Sequence, residues 1–87
     1  MITEIERKEL RKLFQGYYAE NVLEILQEKK LKNRNGKPYN IQYIRTVFQG
    51  VRKNQNIEDA IWQLANEKKE EIERKEFQKQ QILKRTI

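Results

Sequence analysis

LKNRNGKPYNIQYIRTVFQGVRK, residues 31–53, divides by residue chemistry into three parts. Asn35-Gly36 is a strong turn signal and Pro38 bars easy continuation of a helix, so the residues up to Tyr39 form a connection. Asn40 is a good N-cap for the segment IQYIRTVFQ, in which Ile41, Ile44, Val47 and Phe48 make one apolar stripe at helical spacing. Gly50 closes that helix, and Arg52 and Lys53 follow the stop. The other side of the helix carries Gln42, Tyr43, Arg45, Thr46 and Gln49, with no carboxylate among them.

The charge of the chain is concentrated here. Between Glu28 and Glu58 lie Lys29, Lys30, Lys32, Arg34, Lys37, Arg45, Arg52 and Lys53, and no acid. These are eight of the 19 basic residues in the sequence, which leaves 11 against all 13 acidic ones elsewhere. The formal net charge of +6 therefore arises entirely from this window. So focused a field is suited to a polyanion.

Upstream, Thr3 and Glu6 match a capping box. Ile5, Leu10, Leu13, Phe14 and Tyr17 fall near helical spacing, which predicts a first helix over about 4–15 ended by Gly16. A second helix starts at Tyr17 or Tyr18 and carries Val22, Leu23, Ile25 and Leu26. Glu20 and Glu24 lie near its start and Lys29 and Lys30 at its end, the order that complements the helix dipole. The connection from there to Asn40 is about ten residues, long for two packed helices in a small domain, and it carries three basic residues. Such a loop is expected to touch something.

Downstream, Asn56 is read as the cap of a fourth helix with Glu58 and Asp59 in its first turn. Ile57, Ala60, Ile61, Leu64 and Ala65 give it a buried face, with Trp62 beside it. Beyond Asn66 the apolar residues thin to Ile72, Phe77, Ile82, Leu83 and Ile87. Glu71–Lys75 is an i,i+4 pair that supports a soluble helix. Ile61, Ile72 and Leu83 are eleven apart, a nearly straight stripe, but apolar a and d heptads are absent. The expected organisation is one domain over 1–66, which carries the basic stretch, and a charged helical tail over 67–87. That tail is a solvated extension, a dimerisation element or a contact for another protein.

Composition narrows the function classes. At 87 residues there is room for one domain at most. Without cysteine or histidine, disulfides, thiolate metal sites and a histidine-supported nucleophile are excluded, and no metal or cofactor is expected. The three glycines are too scattered for a phosphate-binding loop. No enzyme is expected, because the acids lie beside Lys or Arg on helices and avoid the basic stretch. No apolar run approaches a membrane span, and the N-terminus is charged where a signal peptide would be apolar. The expectation is a soluble cytoplasmic protein with no small-molecule ligand.

Residues 43–64, YIRTVFQGVRKNQNIEDAIWQL, resemble the recognition-helix half of phage-repressor-like helix-turn-helix regulators, the lambda repressor and Cro class. Ile44, Val47, Phe48, Gly50, Arg52, Lys53, Ile57, Ala60, Ile61 and Leu64 fit that degenerate pattern. Residues 22–49 resemble the DNA-binding segment that follows the catalytic domain of large serine recombinases, with Gly36, Lys37, Tyr39 and Arg45 in the corresponding places. Repressors use a shorter connection, so residues 31–39 follow the second resemblance. Recombinase activity is not implied, since there is no catalytic domain. Both resemblances imply a helix-turn-helix that docks a helix in the major groove.

The sequence thus predicts an all-α protein of four helices, with a helix-turn-helix of extended turn and a long last helix. It is expected to bind specific double-stranded DNA, as a small transcriptional regulator of phage or mobile-element type. Gln42, Tyr43, Arg45 and Thr46 are the candidate base contacts: Gln pairs with adenine and Arg with guanine in bidentate fashion, while Tyr and Thr reach phosphates or a thymine methyl. Lys32, Arg34, Lys37, Asn40, Arg52 and Lys53 are the candidate backbone contacts, which position without specifying sequence. A module this small binds weakly alone, so a homodimer is expected. Two other readings stand beside this one. The third helix can be an ordinary surface helix whose polar residues face water, and the chain a phage or mobile-element interaction module that meets an acidic host protein through its basic face or C-terminal helix. RNA is the other partner, with Tyr39 and Tyr43 as stacking platforms.

Overall fold

The computed structural model describes residues 1–86, with side chains through Lys84; Ile87, assigned above to the tail, lies outside them. Four helices make up the ordered elements: α1 (Glu4–Phe14), α2 (Ala19–Glu28), α3 (Ile41–Phe48) and α4 (Gln55–Thr86). No strand occurs among the described residues, so the chain is all-α with a long C-terminal helix. No helix of the described residues is long and apolar enough to cross a membrane.

α1 begins with the capping box read from the sequence. The Thr3 hydroxyl accepts from the Glu6 amide at 3.2 Å, and the Glu6 carboxylate accepts from the Thr3 amide at 2.9 Å. That second bond holds the Glu6 carboxyl below its ordinary range, because it favours the charged form. The inward stripe differs from the expected one. Leu10 and Phe14 are buried, but Ile5 and Tyr17 are 78% and 80% exposed. Arg7 takes the core-side position one turn before Leu10, and its Nε donates to the Phe48 carbonyl at 3.0 Å. Ile5 falls about 140° around the helix from Leu10, too far to share its face. Ile2, just before the cap, is buried in its place.

α2 and α3 end in the same way. The amides of Lys30 and Leu31 donate to the carbonyls of Gln27 and Leu26, both at 3.0 Å. Those of Gly50 and Val51 donate to Val47 and Thr46, also at 3.0 Å. Both are Schellman motifs, which need a left-handed residue just beyond the helix. Gly50 supplies it at φ 78°; on α2 the position is held by Lys30 at φ 57°.

One core joins the four elements. Val22, Leu26, Ile44, Val47, Ile57 and Ile61 are its most enclosed side chains, and each buried aliphatic of this kind contributes about 1.5–3 kcal/mol. Phe14, Tyr18 and Phe48 lock α1, the start of α2 and the end of α3 together, with ring centroids 4.4–6.3 Å apart. α4 is capped by Asn54 rather than Asn56: the Asn54 side-chain oxygen accepts from the Ile57 amide at 3.1 Å. Asn56 sits in the first turn, where its amide reaches the Tyr39 hydroxyl at 3.5 Å. Ala65 is the last buried residue of α4 among those described. From there the helix runs on without a break, and it gives the molecule its long axis of 59 Å. Glu71 and Lys75 pair at 3.1 Å along the exposed part.

Candidate nucleic-acid interface

The connection before α3 is a folded turn built on Asn33. Its side-chain oxygen accepts from the amides of Asn35 at 2.9 Å and Lys37 at 3.0 Å. Its own amide donates to the Lys37 carbonyl at 2.8 Å and its carbonyl accepts from Gly36 at 2.9 Å. Gly36 sits at φ 76°, a conformation that glycine adopts at little cost. The turn thereby fixes the backbone at Arg34. Tyr39 then dives into the core, only 8% exposed, with its ring stacked on Tyr43 at 6.1 Å. This removes Tyr39 as an exposed stacking platform. The Asn54 amide donates to the Tyr39 hydroxyl at 3.4 Å, so the cap of α4 also fixes the wall of the turn.

These contacts bring two loops that are distant in sequence to one end of α3. Arg34 on one side and Arg52 and Lys53 on the other line a groove of about 360 Å³, with Asn40 and Tyr43 between them. The Asn40 side chain caps α3, accepting from the Tyr43 amide at 2.7 Å. No carboxylate lines the groove among the described residues. The first turn of α3 carries no acid either, so the positive end of its dipole adds to the same field. Carboxylates gather elsewhere: Glu24, Glu28, Glu67 and Glu71 line a separate groove between α2 and α4.

The outward strip of α3 is Gln42, Arg45 and Gln49, all exposed. Thr46 is half-buried, and its hydroxyl donates to the Tyr43 carbonyl at 2.7 Å, which commits its proton within the helix. Tyr43 is half-buried against Tyr39 and faces the basic groove rather than the strip. Of the ten candidate residues, Arg34, Asn40, Tyr43, Arg52 and Lys53 converge on one groove, and Gln42 and Arg45 stand beside it. Lys32 and Lys37 are exposed on the turn, outside that groove. Sequence reasoning missed Asn33 and Asn54, whose spacing to Asn35-Gly36 and to Ile57 was the available signal. It also left Gln49 unselected, although its spacing from Gln42 and Arg45 places all three on one face.

Tyr18 reports on the far side of α3. Burial raises its phenol above the ordinary value, and the guanidiniums of Arg45 and Arg11 act in the opposite direction. No cluster of three or more metal-ligating side chains occurs among the described residues. No family model, no curated protein and no solved structure matches the chain.

Proposed function

We propose that this chain is a sequence-specific double-stranded DNA-binding protein, in which α2 and α3 act as a helix-turn-helix and α3 enters the major groove. The observation that carries the reading is the convergence of Arg34, Arg52 and Lys53 on one end of α3, beside the exposed and acid-free strip Gln42–Arg45–Gln49. A basic groove next to an uncharged or positive helix face offers phosphate contacts and base contacts in one docking. α3 is 8 residues long, and a helix with its side chains is about 10–12 Å across, which suits a major groove of about 12 Å. Arg45 and Gln42 carry base recognition, Arg34, Arg52 and Lys53 the backbone. Lys32 and Lys37 extend the field, and Tyr43 and Thr46 reinforce the helix from its side. The role that follows is a small regulator of phage or mobile-element type, acting as a homodimer because one copy presents a single short reading helix.

Selection of bound duplexes from a random library tests this reading. An enriched motif supports it, and an inverted repeat supports the homodimer with it. Absence of any enrichment at low salt sinks it. The competing reading is an interaction module for an acidic protein, and it is favoured by Ile72 and Phe77, which stand 43% and 61% exposed along α4. A chain ending at Asn66 separates the two, since it keeps the basic groove and loses those side chains.

A further inference from the structure

A second groove, of about 320 Å³, opens between the end of α1 and the last turn of α3. Arg11, Gly16, Tyr18 and Gln49 line it above Phe14 and Phe48. Tyr43 borders the first groove and Phe48 the second. Five residues apart on a helix, they point about 140° away from one another. The two grooves therefore flank the strip Gln42–Arg45–Gln49 on opposite sides and at opposite ends of α3. Arg11 is exposed, and neither it nor Arg45 forms an ion pair among the described residues. Both guanidiniums act on the one phenol of Tyr18, so Arg11 of α1 and Arg45 of α3 each lie near that ring. No carboxylate lines this groove among the described residues. Phe14 and Phe48 are each 3% exposed, so they offer no face on which an unpaired base could stack.

A helix seated in a major groove has a sugar-phosphate strand along each side. We infer that the second groove is a phosphodiester site, with Arg11 as its charged contact and the Gln49 amide as a donor beside it, serving the strand opposite to the one met by Arg34, Arg52 and Lys53. The inference rests on the duplex reading above and adds a contact from α1 that the basic stretch of the sequence does not contain. α3 is then gripped from both flanks, which fixes its tilt in the groove as well as its depth.

Arg11→Gln and Arg52→Gln in the full chain test it. On a random-sequence duplex, which needs no cognate site, each variant lowers the slope of log affinity against log salt by about one unit, and Arg11→Lys restores it. On the duplex recovered by selection, phosphate ethylation interferes with wild-type binding on both strands. Within each half-site, Arg11→Gln loses the interference on one strand and Arg52→Gln on the other. Thermal unfolding of Arg11→Gln matches the wild type, because the side chain is exposed. A wild-type slope for Arg11→Gln, or loss on the same strand of a half-site as Arg52→Gln, overturns the second site and leaves the duplex reading standing. A wild-type chain that binds no duplex overturns both.

Discussion

Gly50 leaves the space that Arg7 occupies: a Cβ on Gly50 would stand 2.7 Å from Nη2 of Arg7 and 3.2 Å from the Ile2 carbonyl oxygen. The same glycine sits at φ 78°, in the left-handed region that closes α3. Its two requirements coincide at the point where the N-terminal segment, α3 and the loop to α4 meet. Arg7 can swing aside, but the Ile2 carbonyl belongs to backbone and the φ angle cannot relax without opening the Schellman motif. Gly50→Ala is therefore expected to cost about 1–2 kcal/mol. Urea unfolding checks it, and an unchanged midpoint would remove both arguments.

Arg45→Ala is expected to reduce the preference for the selected duplex over random duplex by about 1–3 kcal/mol, provided the contact is bidentate. The competition is run at fixed salt. Equal loss on both duplexes would reassign Arg45 from bases to backbone.

Asn54→Ala removes the cap of α4 and one donor to the Tyr39 hydroxyl, so a loss of about 1–2 kcal/mol is expected. Asn56→Ala leaves the cap in place and is expected to cost less. Chemical denaturation of the two variants ranks them, and the reverse order would restore Asn56 as the cap.

Tyr18 links stability to alkaline pH. Its phenol is raised in the folded chain by burial, so the folded state favours the protonated form. That contribution is fully present below the ordinary phenol value and is lost as pH rises through the raised one. Tyr18→Phe cannot ionise and is expected to hold its melting temperature further into alkali than the wild type. Parallel decline of both proteins above pH 10 would show that Tyr18 does not govern the effect.

Much of this was legible in the residues because the signals were local. Asn40 and Thr3 with Glu6 mark helix starts through bonds to amides three residues away, and Gly50 marks a helix end by donating its own amide to the Val47 carbonyl. The apolar stripes of α2, α3 and the first half of α4 were readable for the same reason. α1 was misread because Ile5 stands about 140° around the helix from Leu10 and so off the core face, while Arg7 on the core side is aliphatic enough to pack and keeps its guanidinium on the Phe48 carbonyl. The end of α2 carried no glycine signal, since Lys30 holds the left-handed position. Convergence of Arg34 with Arg52 and Lys53 depends on a fold between distant positions, and no spacing rule contains it. Arg11 lay outside the acid-free window, among acids on α1 that point elsewhere.

The unbroken course of α4 has a mechanical consequence. From Ala65 to Thr86 it reaches about 30 Å beyond the core, and a tilt of about 10° where it leaves the core would carry the far end by about 5 Å. Its first turns, from Ile57 to Ala65, are held in the core, and Asn54 ahead of them holds the Tyr39 hydroxyl at the wall of the basic groove. The helix is thus a lever whose fulcrum is the edge of the core at Ala65. A load on the tip, from a second copy or from another protein, would be delivered there instead of dissipating in a linker.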